Sequence, residues 1–148
     1  MIARVLVVDD EPDVEALFRQ QFRREVRQGL YRLDFALSGE VALNKLDEDC
    51  AGGEIILLVS DINMPGMSGL ELLLKVKARR PELPVFVISA YGDPERVRLA
   101  CERGASKFIT KPVDFLHLKQ EVSAIVAGAY APSPRPPPAR GGDICGLG

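Results

Sequence analysis

The chain has 148 residues, which is about the length of one globular domain. Hydrophobic residues make up 47% and charged residues 27%, a mixture typical of a folded protein with one buried core. The formal net charge is −2, so the chain has no basic excess that would predict direct binding to nucleic acid.

Membrane insertion and secretion are not predicted either. No apolar run approaches the roughly 20 residues of a membrane span, and the first residues enter a strand pattern without a leader sequence. The cysteines are few and widely spaced (Cys50, Cys101 and Cys145), so they predict no disulfide framework. We therefore expect a reduced, cytoplasmic location, with Cys101 packed in a helix core and Cys145 as an incidental thiol in the tail.

Strand patterns and helix patterns alternate five times along the chain. Strands are predicted at 5–8, 33–37, 55–60, 84–89 and 106–110, and helices at 12 to about 28, 38–46, 70–78, 94 to about 103, and 115–126. Right-handed crossovers between such elements predict a parallel sheet with helices on both faces. In the first helix, an apolar stripe is predicted to face the core, formed by Val14, Leu17, Phe18, Phe22 and Val26.

The composition changes near residue 129. Five of the eleven prolines fall among the last eighteen residues, where no periodicity is visible. We therefore expect a folded domain at 1–128 and a Pro/Gly-rich, disordered tail at 129–148. The alternative for the tail is a polyproline segment that binds a groove on a partner.

Polar side chains occur where four of the predicted strands end. Asp9 and Asp10 follow the first strand, Asp61 follows the third, Ser89 closes the fourth and Lys111 follows the fifth. Ligands of an open parallel sheet bind at this edge. Clustered carboxylates require a counter-charge, which Mg²⁺ can supply, while a lysine and a hydroxyl can contact phosphoryl oxygens. The pattern predicts phosphoryl transfer with a carboxylate as the nucleophile.

Four motifs at these strand ends resemble the receiver domain of two-component response regulators, over about residues 3–127. They are Val5-Leu-Val-Val-Asp-Asp-Glu-Pro12, Asp61-Ile-Asn-Met-Pro-Gly-Met-Ser-Gly69, Ile88-Ser-Ala90 and Thr110-Lys-Pro112. The resemblance is to single-domain regulators of the bacterial chemotaxis type. It implies an α/β fold of the flavodoxin-like (βα)5 type, a doubly wound parallel sheet with strand order 2-1-3-4-5.

The resemblance also implies a phosphoacceptor and a metal site. Asp61 would accept the phosphoryl group. Mg²⁺ would be held by the carboxylates of Asp10 and Asp61 and by the main-chain carbonyl of Asn63, whose side chain is expected to be exposed. Asp9 would act through a bound water. No binding site for another cofactor is expected.

Further roles follow from the same resemblance. Ser89 and Lys111 would contact the phosphoryl group, and the bond before Pro112 would be cis. Ser89 and Phe108 would form the switch, with Ser89 drawn toward the phosphoryl group and Phe108 turning inward. Two departures are visible: Phe108 replaces the more common tyrosine, and the segment from Arg23 to Tyr31 is longer than in compact members.

The implied function is a phosphorylation switch rather than an enzyme acting on other substrates. A histidine kinase or phosphotransfer protein would phosphorylate Asp61, and the chain would catalyse only its own phosphorylation and dephosphorylation. It would signal through the fourth helix, fifth strand and fifth helix to a downstream protein or in a receiver homodimer.

Alternatives remain at this point. The chain could be a receiver fragment of a longer regulator, for example one fused to a nucleotide cyclase. An aspartyl-phosphate phosphohydrolase would need a second carboxylate where Asn63 stands. A nucleotide or flavin module would need a glycine-rich phosphate loop, which is missing. Tyr91 is either a surface aromatic or a gate to the site.

Overall fold

The computed structural model describes residues 3–49, 55–90 and 94–128, which form alternating strands and helices. In chain order the elements are β1 (Arg4–Val8), α1 (Pro12–Gln21), α2 (Arg23–Arg27), β2 (Arg32–Ala36), α3 (Gly39–Glu48), β3 (Ile55–Asp61), α4 (Gly69–Arg79), β4 (Val85–Ser89), α5 (Pro94–Glu102), β5 (Lys107–Thr110) and α6 (Phe115–Val126). The predicted tail at 129–148 and Tyr91 lie outside the described residues.

The strands form one parallel sheet in the order β2-β1-β3-β4-β5. This arrangement confirms the expected doubly wound fold and its strand order. Side chains alternate between the two faces of the sheet: Leu6 and Val8 join a core with α3, α4 and α5, whereas Val5 and Val7 join a core with α1 and α6. Because all the strands are parallel, their carboxyl ends lie along one edge of the sheet, between the two cores.

The predicted helix signals act where they were expected. The Ser38 side chain accepts a hydrogen bond from the backbone N–H of Val41, and Asp114 accepts one from the N–H of His117. Pro12 opens α1, where its missing N–H costs nothing. The chain leaves α2 through Gly29, which has a φ of 75°.

The first helix departs from its prediction because it divides at Phe22. Phe22 has a φ of −101° and a ψ of 12°, and its ring is buried against Phe18 at a centroid distance of 5.7 Å. The predicted apolar stripe is therefore interrupted, and Val26, beyond the break, is 37% exposed. Leu17, which precedes the break on α1, is 42% exposed. Because of this division, the fourth and fifth helices of the sequence analysis are α5 and α6.

Two further observations bear on the expectations drawn from composition. Among the described residues, no helix combines the length and the apolar character needed to cross a membrane. Cys101, on α5, packs at the margin of a core, as expected.

Candidate functional site

Three carboxylates meet at the carboxyl edge of the sheet. Asp9 and Asp10 follow β1, and Asp61 is the last residue of β3, which pairs with β1 in parallel. One carboxylate oxygen of each residue lies within 4.8 Å of the others. The structure thus brings together side chains that are about fifty residues apart in the sequence.

Backbone hydrogen bonds extend the sheet just beyond its strands and hold this edge in place. The N–H of Asp9 donates to the carbonyl of Ala36 at 3.1 Å, and the N–H of Ile62 donates to the carbonyl of Ile88 at 2.9 Å. The N–H of Lys111 donates to the carbonyl of Ser89, also at 2.9 Å. These bonds fix the backbone positions from which the side chains of the site extend.

Lys111 and Asp61 face each other across this edge. Lys111 Nζ lies 3.5 Å from Asp61 Oδ1, and the two side chains are 39% and 8% exposed. Among the described residues, that oxygen has no partner with hydrogen-bond geometry. A buried carboxylate oxygen that accepts no hydrogen bond lowers the stability of the fold unless a cation or a hydrogen-bond donor binds next to it.

The protonation of two of these acids reflects their burial. Burial raises the pKa of Asp9 to about 6, and the charge of Asp61 acts in the same direction. The Glu11 N–H, which donates to Asp9 Oδ1 at 2.9 Å, acts in the opposite direction. Burial also raises the pKa of Asp61, against the opposing effects of Lys111 and of a hydrogen bond from the Asn63 backbone.

The set of donors at this edge fits a hard divalent cation. Three carboxylates lie within reach of one another with Lys111 as their neighbouring cation. Oxygen ligands and an excess of negative charge are what Mg²⁺ prefers in proteins. The site therefore has the chemistry to hold Mg²⁺.

The side chain of Asn63 forms a hydrogen bond to a residue of α5. Its side chain is exposed, as expected, and its Oδ1 accepts a hydrogen bond from Arg96 Nη1 at 3.0 Å. Arg96 lies on α5, so this bond joins the loop after β3 to that helix. Sequence reasoning missed Arg96 because no local motif marks a contact across 33 residues.

The remaining predicted residues lie around the same edge. Ser89 ends β4 and is fully buried, and the Lys111–Pro112 peptide bond is cis, as expected. Phe108 is also fully buried and belongs to the core beneath α3, α4 and α5.

Gly69, in the loop motif after β3, also contributes to the site, although the sequence assigned it no role. A Cβ atom at this position would lie 2.2 Å from the carbonyl oxygen of Asp61. The Gly69 N–H donates to the carbonyl of Ile62 at 2.8 Å. Only glycine permits this approach of α4 to the backbone that carries Asp61.

A mainly apolar cavity of about 520 Å³ opens beside the three acids. It extends between α1 and the start of α6, and Leu17 lines it. Among the described residues, Asp9, Asp61 and Lys111 are the charged ones in its wall. The exposure of Leu17 is explained by its position along this cavity.

Comparison with known proteins agrees with this geometry. Residues 5–123 match the family model of the response regulator receiver domain. The chain is 34% identical over 120 residues to response regulator protein PilR of Pseudomonas aeruginosa. This alignment covers 81% of the chain and 25% of PilR. It is 36% identical over 111 residues to two-component response regulator ORR3 of Oryza sativa subsp. indica, covering 74% of this chain and 79% of ORR3.

Solved structures lead to the same family. Response regulator protein TrrA of Thermotoga maritima, in complex with Mg(2+)-BeF, superposes with a TM-score of 0.69 at 31% identity, covering 84% of this chain and 99% of TrrA. A CheY-like receiver domain protein of Methanospirillum hungatei gives 0.74 at 26% identity, covering 86% and 96%. With the sheet order, the acidic edge and the family match in agreement, the chain belongs to the response regulator receiver domain family of two-component systems.

Proposed function

We propose that the chain is a signalling switch in which Asp61 accepts a phosphoryl group from a histidine kinase or phosphotransfer protein. The observation that carries this proposal is the environment of Asp61. Its carboxylate is buried, one oxygen has no hydrogen-bond donor among the described residues, and Lys111 lies 3.5 Å away. Such a carboxylate is placed to act as a nucleophile toward an anionic donor.

The transfer step needs charge stabilisation more than proton transfer. A carboxylate oxygen of Asp61 forms the new bond to phosphorus while the donor's bond to its leaving group breaks. The ammonium group of Lys111 and the hydroxyl group of Ser89 contact the phosphoryl oxygens. Hydrolysis of the resulting acyl phosphate returns Asp61, so the chain acts only on its own phosphorylation state.

Mg²⁺ is the proposed cofactor. Asp10 and Asp61 would hold it through their carboxylates, Asn63 through its main-chain carbonyl, and Asp9 through water. When bound, the ion supplies positive charge to the phosphoryl group during transfer. The acidic cluster supports this assignment, as does the similarity to TrrA, whose structure contains Mg(2+)-BeF.

The proposed output surface consists of α5, β5 and α6. A cavity of about 340 Å³ adjoins Phe108 there and is lined by residues of β5 and α6, among them Lys107, His117 and Glu121. Space next to a buried ring allows that ring and its strand to rearrange when Ser89 moves. The partner is a downstream protein or a second receiver, and the proposed location is the cytoplasm.

The chain also fits one domain of a larger regulator. It spans 25% of the length of PilR, so this type of domain occurs in proteins with additional parts. The proposed phosphorylation of Asp61 is the same in either setting. The proposal includes neither direct contact with nucleic acid nor membrane insertion.

Incubation with acetyl phosphate and Mg²⁺, followed by intact-mass measurement, tests the assignment. The wild type should gain one phosphoryl group, and Asp61→Asn should gain none. Asp47→Asn is the matched control, because Asp47 is exposed and pairs with Arg79 away from the site. Equal phosphate uptake by the wild type and Asp61→Asn would refute the role of Asp61.

A further inference from the structure

A third cavity, of about 440 Å³, lies away from the acidic edge and is bordered by arginines. It is formed by the end of α1, by α2 and by the edge strand β2. Its lining consists of four arginines and two aliphatic side chains, namely Arg19, Arg23, Arg27, Arg32, Val26 and Leu33. The proposed phosphorylation site uses none of these residues.

Most of this positive charge has no counter-charge in the part of the chain that the structure describes. Arg19 pairs with Glu15 at 2.9 Å and lies over the Phe35 ring at 4.7 Å. Arg23, Arg27 and Arg32 are exposed and form no ion pair within residues 3–49, 55–90 and 94–128. The cavity therefore concentrates positive charge in a chain whose net charge is −2.

The segment around this cavity contains few acidic residues that could neutralise its arginines. Residues 19–32 contain five arginines and one carboxylate, Glu25. Glu25 lies 3.5 Å from Lys119 on α6, so its charge is directed away from the arginines. This segment includes Arg23 to Tyr31, which the sequence predicts to be longer than in compact receiver domains.

The spacing of the arginines is unfavourable for the helices by themselves. Arg19, Arg23 and Arg27 follow one another at intervals of four residues. The turn between α1 and α2 keeps a helical hydrogen bond from the Val26 N–H to the Phe22 carbonyl at 3.0 Å, so these side chains lie on successive turns. Like charges at this spacing destabilise a helix, which a bound anion would reverse.

We propose that this cavity binds a nucleotide that carries two or more phosphate groups. Guanidinium groups bind phosphate oxygens in pairs and also stack on planar rings, so arginines can contact both the phosphates and the base. Val26 and Leu33 offer an apolar surface to one face of the base. The volume lies in the usual range of small-molecule sites, roughly 300–1,000 Å³.

Isothermal titration of the full chain, with EDTA present to exclude the proposed Mg²⁺ site, tests this proposal. The probes are ADP, GDP, inorganic pyrophosphate and adenosine. At least one diphosphate nucleotide should bind more tightly than pyrophosphate, adenosine should not bind, and the affinity should fall with added salt. Asp61→Asn should bind like the wild type, which separates this test from the proposed phosphorylation.

Two variants on the same helix provide a matched comparison. Arg23→Ala/Arg27→Ala should weaken the binding of the nucleotide at least tenfold. Arg24→Ala should change it less than twofold, because Arg24 is exposed on α2 but does not line the cavity. Circular dichroism checks that each variant is folded, and Arg27→Gln serves as the milder substitution if the double variant is not.

Several results would overturn the proposal. They are no binding of either diphosphate nucleotide up to about 1 mM, equal binding by the double variant and the wild type, or pyrophosphate binding as tight as that of ADP. Binding to phosphatidylglycerol vesicles without binding to soluble nucleotide would assign the arginines to a membrane surface instead. All of these measurements use the same preparations of the wild type and the variants.

Discussion

Gly69 lies so close to Asp61 that a Cβ atom on the glycine would be 2.2 Å from the aspartate carbonyl oxygen. The first turn of α4 therefore packs directly on the backbone of the proposed phosphoacceptor. That turn is held by a capping box, in which Ser68 accepts from the Glu71 N–H and the Glu71 side chain accepts from the Ser68 N–H. The position of Asp61 thus depends on α4 as well as on β3.

Gly69→Ala should destabilise the domain strongly. The added methyl group meets backbone atoms that cannot rotate away, so we expect the free energy of unfolding to fall by about 3 kcal/mol. Displacement of Asp61 should also reduce labelling by acetyl phosphate. Chemical denaturation measures the first effect and intact mass the second.

Gly66→Ala is the matched control for this substitution. Gly66 has a φ of 77° and no atom within 4 Å of an added Cβ, so alanine there causes backbone strain without a clash. We expect a loss of about 1 kcal/mol. A loss at Gly66 equal to that at Gly69 would show that close packing on Asp61 is not the cause.

The stability of the metal-free protein should depend on the pH through Asp9. Its pKa is raised to about 6, so the folded state holds this proton more tightly than the unfolded state does. The stabilising contribution is complete below the unfolded pKa near 4 and is lost as the pH rises through about 6. Asp61, whose pKa is also raised, contributes with the same sign.

Asp9→Asn tests this dependence. The substitution removes the charge that is costly to bury, so the variant should gain stability relative to the wild type as the pH rises from 4 to 7. The gain should be on the order of 3 kcal/mol, at about 1.4 kcal/mol per pKa unit. Urea unfolding in EDTA at several pH values measures it, and a pH-independent difference would contradict the assigned cause.

Mg²⁺ binding should depend on Asp10. Asp10→Ala removes one of the clustered carboxylates and should weaken the rise in melting temperature that Mg²⁺ causes. Asp13→Ala is the control, because Asp13 is an exposed acid in the first turn of α1 and lies outside the cluster. An unchanged Mg²⁺ titration in Asp10→Ala would count against its role as a ligand.

Lys111→Ala should impair phosphorylation more than folding. Lys111 is 39% exposed, so loss of its ion pair should lower the free energy of unfolding by less than about 1 kcal/mol. Its charge opposes the rise that burial causes in the pKa of Asp61. Without Lys111 a larger fraction of the Asp61 carboxylate should be protonated, and a protonated carboxyl group is a poor nucleophile. Labelling by acetyl phosphate at neutral pH should therefore fall at least tenfold.

Lys107→Ala is the corresponding control, since Lys107 begins β5 and Lys111 directly follows that strand. Lys107 lies 3.6 Å from Glu121 on α6 and is separate from the acidic edge. Its loss should leave labelling by acetyl phosphate near the wild-type level. A Lys111→Ala protein that is mainly unfolded would mean that Lys111 has a structural role instead.

Much of the fold could be predicted because its signals are local. Apolar runs and capping residues such as Ser38 and Asp114 act within a few positions of the chain, so the order of strands and helices could be read directly. The division of the first helix at Phe22 could not, since it depends on burial of that ring against Phe18 and the distant Phe115. Helical spacing alone made Leu17 a core residue, but it lines an open cavity.

For the candidate site, the sequence by itself determined which side chains stand at the strand ends, since these follow directly from where each strand stops. The strand order came from family resemblance, and the sheet confirms it. Only the tertiary structure decided the raised pKa values of Asp9 and Asp61, the approach of Gly69, the bond from Arg96 to Asn63 and the arginine-lined cavity. All of these depend on distances between segments far apart in the chain, and such distances exist only once the sheet and its helices have packed.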